Sequence, residues 1–115
     1  MKYTGLVQHG QGRGGMLGFA TANIPLSDVS ISGIFIASVT LDGKAYPAAA
    51  FADQKRKLLE AYILDFSQQI YEKQITIELL KKIRDTKNFE SDEEMRVAIA
   101  NDVACVREYF RDTDA

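Results

Sequence analysis

Residues 10–23 read Gly-Gln-Gly-Arg-Gly-Gly-Met-Leu-Gly-Phe-Ala-Thr-Ala-Asn, a glycine-rich stretch that carries one cation and ends in a hydroxyl and an amide. Without Cβ atoms, the backbone N–H groups of Gly12, Gly14, Gly15 and Gly18 could approach phosphate oxygens, and Arg13 adds a guanidinium beside them. Thr21 and Asn23 lie two residues apart, so on an extended chain their side chains point to the same side. Two such oxygen donors suit a hard divalent cation already held by nucleotide phosphates. Phosphoryl transfer needs a phosphate cradle, a cation clamp and a base or orienting group for the acceptor hydroxyl. For the third part the candidate is Glu60, a carboxylate in the otherwise apolar run Leu58-Leu59-Glu60-Ala61-Tyr62-Ile63-Leu64. Buried there, its pKa would rise toward that of a useful base. An outward-facing strand residue is the alternative, and spacing alone does not separate the two.

Other chemistries fit the same residues less well. Gly10, Gly12 and Gly15 satisfy G-x-G-x-x-G formally, but that fingerprint requires a helix to open behind it. The run through Thr21, Asn23, Ile24 and Pro25 is a poor helix start, and no Walker lysine follows. A flexible surface loop is the local alternative. Gly12-Arg13-Gly14-Gly15 resembles an RNA-binding RGG element, against which the net charge of −2 weighs. One histidine and one cysteine make no transition-metal constellation. His9 adjoins the loop and could touch phosphate, with strand-end packing as the plainer role. Lys55-Arg56-Lys57 reads as a solvated turn that could contact nucleotide if the strand order brings it near the loop. Cys105 falls inside a helical pattern and is expected to be a packing residue.

Strands must position these groups. Residues 3–8 form a short strand before the loop. Residues 33–41 are rich in β-branched and aromatic side chains, and Asp42-Gly43 supplies a type I′ hairpin signal that returns the chain through Ala45–Phe51. Leu58–Leu64 and Gln74–Ile83 are two further strands. In the second, Ile75, Ile77 and Leu79 alternate with more polar positions, although a helix over 74–84 is the alternative. Ser91 followed by Glu94 forms a capping box, and Met95, Ile99, Val103, Val106 and Phe110 recur as one apolar helical stripe. Strands first and one helix last predict an antiparallel barrel or sandwich closed by a terminal helix.

With 115 residues, 46% hydrophobic and 26% charged, the chain fits one globular domain over 1–115. No apolar run approaches the ~20 residues of a membrane span. Met1-Lys2-Tyr3-Thr4-Gly5 lacks the pattern of a secretory leader, and the single cysteine suits a reducing compartment. The expectation is a cytoplasmic protein with no nucleic-acid or membrane partner.

In order, the residues resemble one known family. Gly18-Phe19-Ala20-Thr21-Ala22-Asn23, then Gly33-Ile34-Phe35, Leu59-Glu60-Ala61-Tyr62-Ile63-Leu64-Asp65-Phe66, Ile70-Tyr71, Ile83-Arg84, Phe89 and a helix containing Asp102 are similar to the motifs of the riboflavin kinase family. The match runs from about Gly5 to Phe110. The resemblance implies a mostly β fold, a six-stranded antiparallel Greek-key barrel with a C-terminal helix, in a stand-alone monomeric form. It implies an ATP:riboflavin 5′-phosphotransferase that makes FMN, with Mg²⁺ and with ATP as co-substrate. Thr21 and Asn23 would then bind Mg²⁺ and the ATP phosphates, and the glycine loop would cover them. Glu60 would take the proton of the terminal ribityl hydroxyl, and Arg84 and Phe89 would lie on the flavin side. Tyr62 and Tyr71 would be barrel aromatics. Three departures stand out: Ala20 replaces a proline, Glu72 replaces a glycine, and residues 48–57, without a glycine or proline, stand where the family carries an Asn-Ile-Gly-x-Arg-Pro-Thr flap segment. Flavin affinity is the property this last change puts in question, and a non-catalytic flavin- or nucleotide-binding relative is the alternative. Making FAD would need an adenylyltransferase supplied elsewhere.

Overall fold

The computed structural model describes residues 1–8, 21–66 and 68–113, so Gly10, Gly12, Arg13, Gly14, Gly15 and Gly18, like His9, lie outside the described residues. The elements run β1 (Lys2–Leu6), β2 (Ala22–Pro25), β3 (Gly33–Leu41), β4 (Lys44–Asp53), β5 (Leu58–Ile63), β6 (Gln74–Arg84) and α1 (Asp92–Thr113). The strands form one sheet in the order β1-β6-β3-β4-β5-β2, with every neighbouring pair antiparallel. β3, β4 and β5 are a meander, and β6 returns beside β3, which is a Greek key. The two outer strands meet where Gln8 bridges Asn23, its N–H donating to the Asn23 carbonyl at 2.7 Å. The sheet is thereby curled into a nearly closed barrel, as expected.

Alternation decides what fills it. Ala37, Val39 and Leu41 of β3, Ala48, Ala50 and Ala52 of β4, Leu59, Ala61 and Ile63 of β5, and Ile75, Ile77 and Leu79 of β6 all turn into one buried cluster. Each fully buried Leu or Ile side chain adds about 1.5–3 kcal/mol. The residues of opposite parity on β4 and β5, Ala49, Phe51, Glu60 and Tyr62, therefore face outward.

Local chemistry sets the ends of the elements. Asp42 and Gly43 both take positive φ, 51° and 80°, as a type I′ hairpin demands. β1 ends at Leu6, short of the expected residue 8, because Gln8 leaves β6 to bridge β2. Gln74–Arg84 is a strand, which removes the helical alternative. Its register against β3 shifts twice, between Ile34 and Phe35 and between Ile36 and Ala37. Such bulges bend and twist a strand, here just before Arg84. Facing that bend, Gly33 has φ +102°, and a Cβ there would stand 2.6 Å from the Arg84 carbonyl.

Ser91 caps α1, its Oγ accepting from the Glu94 N–H at 3.1 Å. The Glu94 carboxylate reaches one residue further than a standard capping box, accepting from the Glu90 N–H at 3.2 Å. Val106 is buried against Ile36 and Leu64, with Val103, Tyr109, Phe110, Tyr62, Ala49 and Ile83 around them. Arg107 fastens the same helix to the β5–β6 connection through two 3.0 Å bonds to Asp65. Cys105 is exposed, contrary to the packing role expected for it: next to Val106 in sequence, it is turned about 100° off the buried stripe. Tyr71 is likewise 43% exposed and is not a buried barrel aromatic, whereas Tyr62 packs between the sheet and α1. Among the described residues, no helix is long and apolar enough to cross a membrane.

Candidate active site

Glu60 sits at the centre of β5 with Phe51 of β4 opposite it on one side and Asn23 of β2 on the other. Residues paired directly across antiparallel strands project from the same face. The row Phe51–Glu60–Asn23 therefore points away from the barrel core, into the space beside α1. Glu60 is 6% exposed and Asn23 1%. Thr21, two residues before Asn23, shares that face, and its hydroxyl lies 3.4 Å from Asn23 Oδ1.

A cavity of about 200 Å³ opens over Phe51 and Glu60 of this row. Glu60, Thr21 and Arg56 line one side, Arg84, Phe89 and Asp102 the other, and Ile34, Phe51, Met95 and Ile99 give it apolar walls. The small Ala49 beside Tyr62 on the barrel's outer face leaves the floor open. Thr21 also lines a second cavity, with Phe66, Gln68, Gln69, Ile70 and Tyr71, so it stands at the junction of two compartments.

Burial pushes the Glu60 carboxyl above its ordinary value; the nearby Arg56 guanidinium opposes this, and Asp53 reinforces it. Among the described residues, Glu60 Oε1 has Arg56 Nη1 at 3.5 Å as its ionic partner. The other side of the cavity is built differently. Arg84 Nε and Nη2 donate to the two oxygens of buried Asp102 at 2.9 and 2.8 Å, and its Nη1 donates to the Asp85 carbonyl at 3.3 Å. The guanidinium also lies 5.7 Å from the Phe89 ring centroid, and Lys87 Nζ lies 6.0 Å from the same ring. Such bidentate and cation–π contacts hold a side chain in one orientation.

The sequence thus singled out Glu60, Thr21, Asn23, Arg84 and Phe89, and the structure brings Glu60, Thr21, Arg84 and Phe89 to one cavity with Asn23 beside Glu60. Asp102 was named as part of a motif without a role; its place between Ile99 and Val106 on the apolar stripe is the signal that an acid there needs a cation. Arg56 was read as part of a solvated turn. Lys55 and Lys57 are exposed as expected, but Arg56, itself 39% exposed, also reaches in to Glu60.

The riboflavin kinase (flavokinase) family model matches residues 1–110. The chain belongs to the riboflavin kinase family. It is 35% identical over 116 residues to the bifunctional riboflavin kinase/FMN adenylyltransferase of Escherichia coli K12, covering 93% of this chain and 37% of that protein. It is 38% identical over 107 residues to a trifunctional RibF/MnmA protein of Mycoplasmoides gallisepticum, 85% of this chain and 16% of the other. This flavokinase domain thus spans well under half the length of these curated relatives. The solved riboflavin kinase of Trypanosoma brucei superposes with a TM-score of 0.70 at 26% identity, over 96% of this chain and 76% of that one. The barrel and terminal helix are therefore the family's fold.

Proposed function

We propose that this domain transfers the γ-phosphoryl group of ATP to the terminal ribityl hydroxyl of riboflavin, giving FMN and ADP. The observation that carries this reading is the buried Glu60 carboxylate set on the floor of an apolar-walled cavity, with Asn23 opposite it and Thr21 at the cavity edge. The cavity walls of Ile34, Phe51, Phe89, Met95 and Ile99 suit a flat aromatic ring system, and the ribityl chain would run toward Glu60. Glu60 accepts the hydroxyl proton as that oxygen forms its bond to the γ-phosphorus and the bond to the β-phosphate oxygen breaks. A carboxylate withdrawn from water and raised above its usual pKa is a stronger base for that proton than a solvated one.

Thr21 and Asn23 fit a magnesium–nucleotide complex. Their oxygens are hard, neutral donors 3.4 Å apart on one face, and would hold a Mg²⁺ that arrives with the nucleotide phosphates. When bound, Mg²⁺ would neutralise phosphate charge. Because Thr21 borders both cavities, the nucleotide has its own compartment beside Phe66 and Ile70, and the two substrates would meet at Thr21. Asp102 and Phe89 hold Arg84 as a fixed wall on the flavin side.

Formation of FMN from riboflavin and ATP by the purified protein, followed by chromatography of the flavins, tests the reading. Turnover that stops on Mg²⁺ chelation and falls at least ~10²-fold in Glu60→Gln is expected from the loss of a general base. Riboflavin bound without ATP consumption would instead make the domain a flavin binder, and full turnover in Glu60→Gln would remove Glu60 from the chemistry.

A further inference from the structure

The β4–β5 turn, residues 54–57, is tied down on both flanks. Gln54 Nε2 donates to the carbonyls of Asp28 and Ile31 at 2.8 and 2.6 Å, and the Lys57 carbonyl accepts from the Leu26 N–H at 2.9 Å. Asp53 Oδ1 closes the turn by accepting from the Arg56 N–H at 3.1 Å. The Arg56 side chain, by contrast, is loosely held. Its ionic contacts among the described residues run through Nη1 alone, 3.5 Å to Glu60 and 4.0 Å to Asp53. A committed guanidinium–carboxylate pair sits at about 2.7–2.9 Å. Arg84 meets that standard and is already engaged by Asp102. Among the described residues, Arg56 is therefore the arginine of this cavity with donors to spare, on a hydrogen-bonded turn and beside the proposed base.

Geometry gives those donors a target. A hydroxyl that surrenders its proton to Glu60 lies about 3 Å from the carboxylate, and the phosphorus it attacks is one forming bond further on. The phosphoryl oxygens then fall within the reach of a guanidinium already 3.5 Å from that carboxylate. The planar fork of arginine matches phosphate oxygens in a way the carboxylate contact here does not use. We propose that Arg56 binds the transferred phosphoryl group, leaving Glu60 for the γ-phosphate during transfer and for the 5′-phosphate of FMN in the product complex. The β4–β5 turn thus supplies a phosphate contact beside the proposed base. This rests on the riboflavin kinase reading.

Flavin fluorescence titrations of the full chain with riboflavin and with FMN test it independently of turnover, using Arg56→Met and Arg56→Lys. Arg56→Met is expected to weaken FMN at least ~10-fold while changing riboflavin affinity less than about 2-fold, with Arg56→Lys between the two. In the kinase assay the same variant is expected to lose ~10²-fold in kcat, the scale for one donor to developing charge, with little change in the riboflavin KM. Equal weakening of FMN and riboflavin would make Arg56 a cavity wall and overturn the proposal, as would unchanged FMN affinity. If the unaltered protein bound neither flavin, the riboflavin kinase reading itself would fall, and this proposal with it.

Discussion

Two walls of one cavity each present an arginine to an acid, and they are built to opposite specifications. On the β6–α1 wall, Arg84 meets buried Asp102 through two short bonds and is backed by Phe89. On the β4–β5 wall, Arg56 approaches Glu60 at 3.5 Å through one nitrogen and stays 39% exposed. In the first pair the acid has its charge fully answered and serves to fix a partner. In the second the acid is under-compensated, so that it retains proton affinity. The same residue types therefore make a tight joint on one wall and a loosely compensated acid, the proposed base, on the other. Coordination and burial decide which.

The contrast can be broken first at the joint. Arg84→Met leaves Asp102 buried without its cation, and a loss of about 3 kcal/mol is expected in denaturant unfolding. A loss below roughly 1 kcal/mol would mean that the joint is no stronger than a surface pair. Gly33→Ala attacks the same wall from β3, forcing a Cβ to within 2.6 Å of the Arg84 carbonyl at a φ of +102°. About 2 kcal/mol is expected there, the scale for strained backbone, read as a fall in Tm.

On the β4–β5 wall the test is one of sign. The folded state raises the Glu60 pKa, chiefly by burial. Below the ordinary carboxylate range both folded and unfolded chains are protonated at this position and nothing is lost. As pH rises through that range the unfolded chain gives up its proton first, so stability falls until the folded pKa is passed. Glu60→Gln lacks that loss, and its Tm is expected to gain on the unaltered protein between acid and neutral pH. A constant difference across that range would mean that Arg56 compensates the charge in full. Smallest of all, Arg56→Met is expected to change unfolding stability by no more than about 0.5 kcal/mol, because a half-solvated pair at this distance contributes little.

Legibility in the sequence followed the range of the interactions. β3 was readable to the residue, since β-branched side chains and an Asp-Gly turn bound it locally. The cap at Ser91 was likewise carried by neighbours within a few positions, whereas the burial of Glu60 stayed open, because it depends on what covers the outer face of β5. Arg84–Asp102 spans 18 residues and joins a strand to a helix, so the charges could be seen but not their pairing. The two register shifts in β6 exist only in relation to β3 and have no signature in β6 itself. Cys105 was misjudged because presence within a helical pattern does not give the angle around it. Arg56 was read with its two lysine neighbours as a solvated turn, nucleotide contact being the alternative, and its reach to Glu60 depends on the fold of the β4–β5 turn.

The seam between the first two strands carries a consequence of its own. The barrel closes where Gln8 meets Asn23, and Asn23 is also the amide proposed to hold the magnesium–nucleotide complex. On that proposal, closing the last gap of the sheet and presenting that amide are a single event, and any opening of the seam would cost affinity. Such a domain would lose its hold on nucleotide while most of its ladder was still intact, and bound nucleotide would in turn act as a clasp on the fold.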